Sequence, residues 1–114
     1  MWFVGAPDVS AVSTIQGSTL ALAYVDEATN LPEPFWKMLE SRLRVPGAKL
    51  LATCNPESPA HFIKKDYIDK KELDLVHWNF CLDDNPSLDE IYKQQLKASY
   101  SGLWFRRYVM GEWC

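Results

Sequence analysis

No glycine in the 114-residue chain is followed by lysine, so the phosphate-cradling motif G-x-x-x-x-G-K-[ST] is absent. Long apolar runs are missing as well. None approaches the roughly 20 residues that span a bilayer, and the N-terminus lacks the basic stretch and apolar core of a signal peptide. There is no basic excess: 12 Lys and Arg face 15 Asp and Glu, for a net charge of −3. That balance argues against a free-standing nucleic-acid binder, while leaving room for a basic patch supplied by a larger assembly. Cysteine is scarce. Cys54, Cys81 and Cys114 are odd in number and form no C-x-x-C pair, and with His61 and His77 they show no metal-ligand spacing. They read as buried thiols of a reducing cytosol. No arginine precedes Arg42, and there is no internal repeat or low-complexity segment.

What is present is ordinary for one globular domain: 47% apolar and 24% charged residues. Both ends, "MWFVG" and "MGEWC", are rich in residues that favour burial, where termini are usually polar. This predicts a piece of a larger domain.

Residues 2–5 read as a short strand and residues 8–19 as turn and loop. "LALAYV" (20–25) is a near-continuous apolar run, as in a parallel strand covered on both faces. Pro32 and Pro34 suit the first turn of a helix carrying Trp36, Leu39 and Leu43, which "VPG" (45–47) stops. "KLLATC" (49–54) is a second buried strand, and a helix is expected from about Pro59 to Tyr67. "LDLVHWNF" (73–80) alternates as a third strand, with Val76, Trp78 and Phe80 on one face. Ser87 with Glu90 reads as a capping box, opening a helix lined by Leu88, Tyr92, Leu96 and Tyr100. Gly102 separates a last helix, "LWFRRYVM", ended by Gly111. This strand–helix alternation implies an α/β domain with a largely parallel sheet.

In open α/β sheets, ligands gather at the carboxyl ends of the strands. Asp26 and Glu27 fall there on the first buried strand, and Thr53 and Asn55 on the next. An apolar strand ending in Asp-Glu suits nucleotide hydrolysis: the Asp holds a hydrated Mg²⁺ and the Glu activates the attacking water. The plainer alternative makes Asp26 a helix N-cap and Glu27 an exposed first-turn residue.

Taken together, these pieces resemble the large subunit of tailed-phage terminases, the DNA-packaging motor. "LALAYVDEATNLPEPFWKMLESRLR" resembles its Walker B strand, catalytic Glu and following helix. "KLLATCNPESPAHFIKKDYID" resembles its coupling motif. "FCLDDNPSLDEIYKQQL" and "FRRYVMGEW" resemble the segments that close the ATPase domain before the nuclease.

The resemblance implies an α/β fold, a partial P-loop NTPase (RecA/ASCE-like) with a mostly parallel sheet flanked by helices. Residues 1–114 would be roughly the second half of the ATPase domain, without the P-loop or the nuclease domain. It also implies Asp26 as the Mg²⁺ residue (water-mediated), Glu27 as the catalytic base, and Thr53 and Asn55 as sensors of the γ-phosphate or the water. In the complete enzyme the cofactors would be Mg²⁺ and ATP, neither held tightly by this piece alone. The partners would be double-stranded DNA, a portal ring and a small terminase subunit, with a homo-oligomeric ring on the portal in the host cytoplasm and no membrane.

Arg42 and Arg44 are candidates for an arginine acting in trans, against the plainer reading of a solvated helix face. The charges of "HFIKKDYIDKKELD" cancel, which suits a solvated face better than a DNA groove. Arg106 and Arg107 are open to either nucleotide or DNA contact or to packing. His61 and His77 lack a base-orienting partner and carry no catalytic expectation. The five tryptophans read as core or interface residues rather than a stacking platform. Two other readings are another P-loop motor such as a helicase, and a non-catalytic prophage remnant that binds a partner through an exposed half-sheet.

Overall fold

The structure is a computed structural model, and it describes residues 19–114. The expected strand at 2–5, and all but the last residue of the loop at 8–19, lie outside that range. The chain divides into two compact units, the first ending at Cys54 and the second beginning at Asn55.

In the first unit, β1 (Leu22–Val25) pairs in parallel with β2 (Lys49–Ala52), from Leu22 opposite Lys49 to Val25 opposite Ala52. Parallel neighbours need a crossover, and α1 (Glu33–Arg42) supplies it. Pro32 is its N-cap and Pro34 sits in its first turn, as expected where an N–H has no intrahelical acceptor. Phe35, Trp36 and Leu39 are its buried residues. The helix ends at Arg42, ahead of the 45–47 turn that Ala48 closes onto the Val45 carbonyl at 3.1 Å.

One expectation about this sheet fails. Alternation places Leu22, Tyr24 and Leu51 on one face, and these are 60%, 64% and 54% exposed, while Val25 on the opposite face is buried. A strand hidden on both faces needs a layer on each side, and one helix accompanies this pair among the described residues.

The second unit is helical and irregular. The helix expected from Pro59 begins later: a π-helical turn, Lys64–Ile68, follows Phe62 and Ile63, and its buried residue is Tyr67. The third strand does not form. Residues 76–80 lie outside any helix or strand, with Val76, Trp78 and Phe80 about 70% exposed. A strand exists through a hydrogen-bonded neighbour, and no described residue of this unit belongs to one.

The capping box expected from Ser87 and Glu90 does not form. Ser87 donates its N–H to Asn85 Oδ1 (3.0 Å), while Asp89 caps α2 (Glu90–Ser99) by accepting from the Ile91 N–H at 3.3 Å. Asp89 stands immediately before the first helical residue, two positions past Ser87, and so takes the cap. A 3₁₀ turn, Leu82–Asp84, precedes α2.

Last comes α3 (Gly102–Tyr108). Beyond it, Gly111 takes φ +71°, and the Glu112 N–H returns to the Arg106 carbonyl at 2.9 Å. A Cβ on Gly111 would lie 2.6 Å from the Phe80 carbonyl oxygen, so this packing requires glycine.

Candidate functional site

The parallel ladder carries Asp26 and Thr53 just past the ends of β1 and β2. There Thr53 Oγ1 donates to Asp26 Oδ1 at 2.7 Å. The backbone closes the same junction twice, Thr53 N–H to the Val25 carbonyl at 2.9 Å and Ala28 N–H to the Thr53 carbonyl at 2.8 Å. Asp26 is therefore tied to the neighbouring strand and caps no helix.

Between those clamps lies Glu27, at φ 52° and ψ 51°. It is the one non-glycine residue with positive φ among the described residues. A left-handed backbone at an L-residue costs about 1–2 kcal/mol and persists where surrounding structure over-determines it. Here the over-determination is visible in the hydrogen bonds on either side. A 3₁₀ turn, Ala28–Asn30, follows at once, with Asn30 N–H on the Glu27 carbonyl (2.9 Å) and Asn30 Nδ2 on Glu27 Oε2 (3.1 Å). Glu27 thus occupies the N-cap position of a short turn but makes no side-chain cap, which leaves its carboxylate to Asn30.

Asp26, Glu27 and Thr53 are all exposed. For Mg²⁺, the donor set fits: a carboxylate and a hydroxyl are hard oxygen ligands, and Mg²⁺ commonly takes one or two carboxylates plus waters and substrate phosphates. Among the described residues no cluster of three or more His, Cys, Asp and Glu side chains stands ready to hold a metal by itself.

Asn55 opens the second unit. It lines a shallow groove of about 290 Å³ with Tyr92, Leu96, Tyr100 and Tyr108. The four-residue repeat expected along α2 is recognisable in that wall, although the buried residue of α2 is Lys93, paired with Glu90 at 3.6 Å. The groove is aromatic because Tyr108 meets Tyr100 edge-on (5.5 Å) and stacks on Trp104 (5.6 Å).

The arginines separate by setting. Arg42 is half-buried with its Nε enclosed, whereas Arg44 is exposed. Arg106 pairs with Glu112 at 2.8 Å. Arg107 donates through Nε to the Cys114 carbonyl (2.9 Å), and its Nη1 lies 3.6 Å from Glu57. Arg107 is thus enclosed and tied to the chain within the second unit, whereas Arg106 forms an exposed ion pair. Of the expected thiols, Cys54 is exposed and Cys81 and Cys114 half-buried. Desolvation around the Cys54 sulfur still raises its thiol above the ordinary value, which disfavours the thiolate. Trp36 is buried, Trp78 and Trp104 are exposed and Trp113 is half-buried.

Residues 8–114 match the family model for the T4-like-virus type terminase large subunit, N-terminal part. The chain belongs to that terminase family. The large terminase of a thermophilic bacteriophage has a closely similar structure. One crystal form superposes with a TM-score of 0.90 at 40% identity, over 98% of this chain and 28% of that one. The same phage protein in complex with ADP gives 0.90 at 37%, over the same shares. Its complex with ATP-γ-S gives 0.83 at 42%, over 87% of this chain and 25% of that one. The terminase segment thus spans about a quarter of the length of these solved relatives. No curated protein matches it.

Sequence reading overlooked two features of this terminase segment, the left-handed backbone of Glu27 and the role of Asn30. A glutamate gives no sign of positive φ, and the spacing Glu-x-x-Asn was the available clue to the side-chain bond.

Proposed function

We propose that this segment is the water-activating portion of a terminase ATPase domain, roughly its second half, in a subunit that hydrolyses ATP to drive double-stranded DNA into a prohead. The observation that carries the reading is the junction at the ends of β1 and β2, where Thr53 holds Asp26 beside a strained Glu27. In this reading Asp26 holds a hydrated Mg²⁺, which neutralises charge on the phosphates when bound. Glu27 orients and deprotonates the attacking water, and an exposed carboxylate on a fixed backbone can accept that proton. Thr53 and Asn55 are hydrogen-bonding sensors of phosphate or water, since a hydroxyl and an amide bind either without adding charge. Arg44, being exposed, suits a trans role better than Arg42. Portal, small terminase subunit, a ring of copies and a host-cytoplasmic setting complete the proposal.

The test is made in a complete large subunit carrying this segment. Glu27→Gln should lower kcat for ATP by about 10²–10⁴ with little change in KM, as for loss of a general base. Asp26→Asn should raise the Mg²⁺ concentration needed for half-maximal turnover. Unchanged turnover in Glu27→Gln would remove the assignment.

A second reading, a binding module, is favoured by the open sheet face of Leu22, Tyr24 and Leu51. Intact association with a partner after Leu51→Lys would count against it.

A further inference from the structure

We infer that Asn30 is a positioning residue for the Glu27 carboxylate. The inference rests on the reading of Glu27 as the base. Its support is geometric. The left-handed backbone fixes where the Glu27 side chain leaves the chain, but it leaves the side-chain torsions free to rotate. An exposed glutamate would then sample several rotamers, and a base that must meet one water needs a narrower distribution.

Asn30 removes that freedom from two sides. Its backbone N–H is on the Glu27 carbonyl at 2.9 Å, which closes the turn and brings the Asn30 side chain back over Glu27. Its Nδ2 then donates to Oε2 at 3.1 Å. Oε1 keeps no hydrogen bond among the described residues, so one oxygen is anchored and the other is available to a water. The amide is neutral, so it orients the carboxylate without adding a charge that would compete for Mg²⁺. Aspartate at this position would keep the shape, lose the donor and add repulsion.

The 114-residue chain itself suffices for the test, with no nucleotide, so its outcome is separate from the turnover assay of Glu27→Gln. Side-chain χ1 couplings of Glu27 and the Asn30 side-chain amide resonances are measured by NMR in the parent chain and four variants. Glu27 should show one dominant rotamer in the parent and averaged couplings in both Asn30→Ala and Asn30→Asp. The Asn30 amide should move in Glu27→Ala and return most of the way in Glu27→Gln, whose carbonyl still accepts. Throughout, the Leu31 amide, bonded to the Ala28 carbonyl at 3.1 Å, reports whether the turn survives. Averaged Glu27 couplings in the parent would overturn the inference. So would rotamers unchanged by Asn30→Asp, or a loss of Leu31 protection that accounts for every change.

Discussion

Holding Glu27 at φ 52° works against its own Cβ, and the left-handed region relaxes that cost for glycine alone. Glu27→Gly should therefore be more stable than Glu27→Ala by about 1 kcal/mol, read as the difference in urea midpoints, because both lose the carboxylate and only one loses the clash. Equal midpoints would mean that the turn relaxes when the side chain is removed. A different single residue contributes to the acid response. The Asp84 carboxyl lies below its ordinary value of 3.8, chiefly because the Cys81 N–H donates to Oδ2 at 2.7 Å. A depressed carboxylate stabilises the fold fully above its unfolded value, and that contribution is lost as pH falls through the lower folded value. Asp84→Asn should thus flatten the loss of stability below about pH 4, in denaturant titrations across pH, while leaving the neutral-pH slope unchanged.

At the scale of elements, two glycines with the same sign of φ separate strain from space. Gly47 (φ +79°) has nothing within 4 Å of an added Cβ, whereas Gly111 (φ +71°) meets the Phe80 carbonyl at 2.6 Å. Gly47→Ala should cost about 1 kcal/mol, the backbone penalty alone. Gly111→Ala should cost about 2–4 kcal/mol, because the segment carrying Phe80 must also move. Thermal unfolding of the two variants checks the ordering. The same elements show what a sequence makes legible. The β1–α1–β2 unit could be read because apolar runs, the two prolines and the 45–47 turn are local signals with local causes. The segment 73–80 could not, since alternation reports a β-compatible chain but not a neighbour to pair with, and the described residues of the second unit supply none. Ser87 lost the cap to Asp89 for a similar reason: capping residues compete, and the Asx turn at Asn85 decides which of them reaches the helix. The site was half legible. Asp26 and Thr53 converge because parallel register carries both strand ends to one edge, whereas the Asn30 bond depends on a turn that glutamate does not announce.

The whole molecule presents the Asp26–Thr53 junction and an open sheet face in one unit. Leu22, Tyr24 and Leu51 are exposed on the sheet, and no glycine-lysine pair exists in the 114 residues to cradle a phosphate. Electrostatic grip on the β- and γ-phosphates is the larger part of what aligns ATP with a water, so a carboxylate pair without that grip has nothing to act on. The chain by itself should therefore show Mg-ATP turnover indistinguishable from buffer, measured as phosphate release at millimolar ATP. Glu27→Gln should leave that baseline where it is. Turnover above buffer that disappears in Glu27→Gln would mean that other residues of the chain hold the phosphates, and the division of labour proposed for the subunit would have to be redrawn. If instead a polypeptide carrying the G-x-x-x-x-G-K-[ST] motif restores turnover when added in trans, the effect should be lost in Glu27→Gln. It should also fall in Leu51→Lys if the open sheet face is where the two pieces meet, because a lysine placed there would have to be desolvated on association.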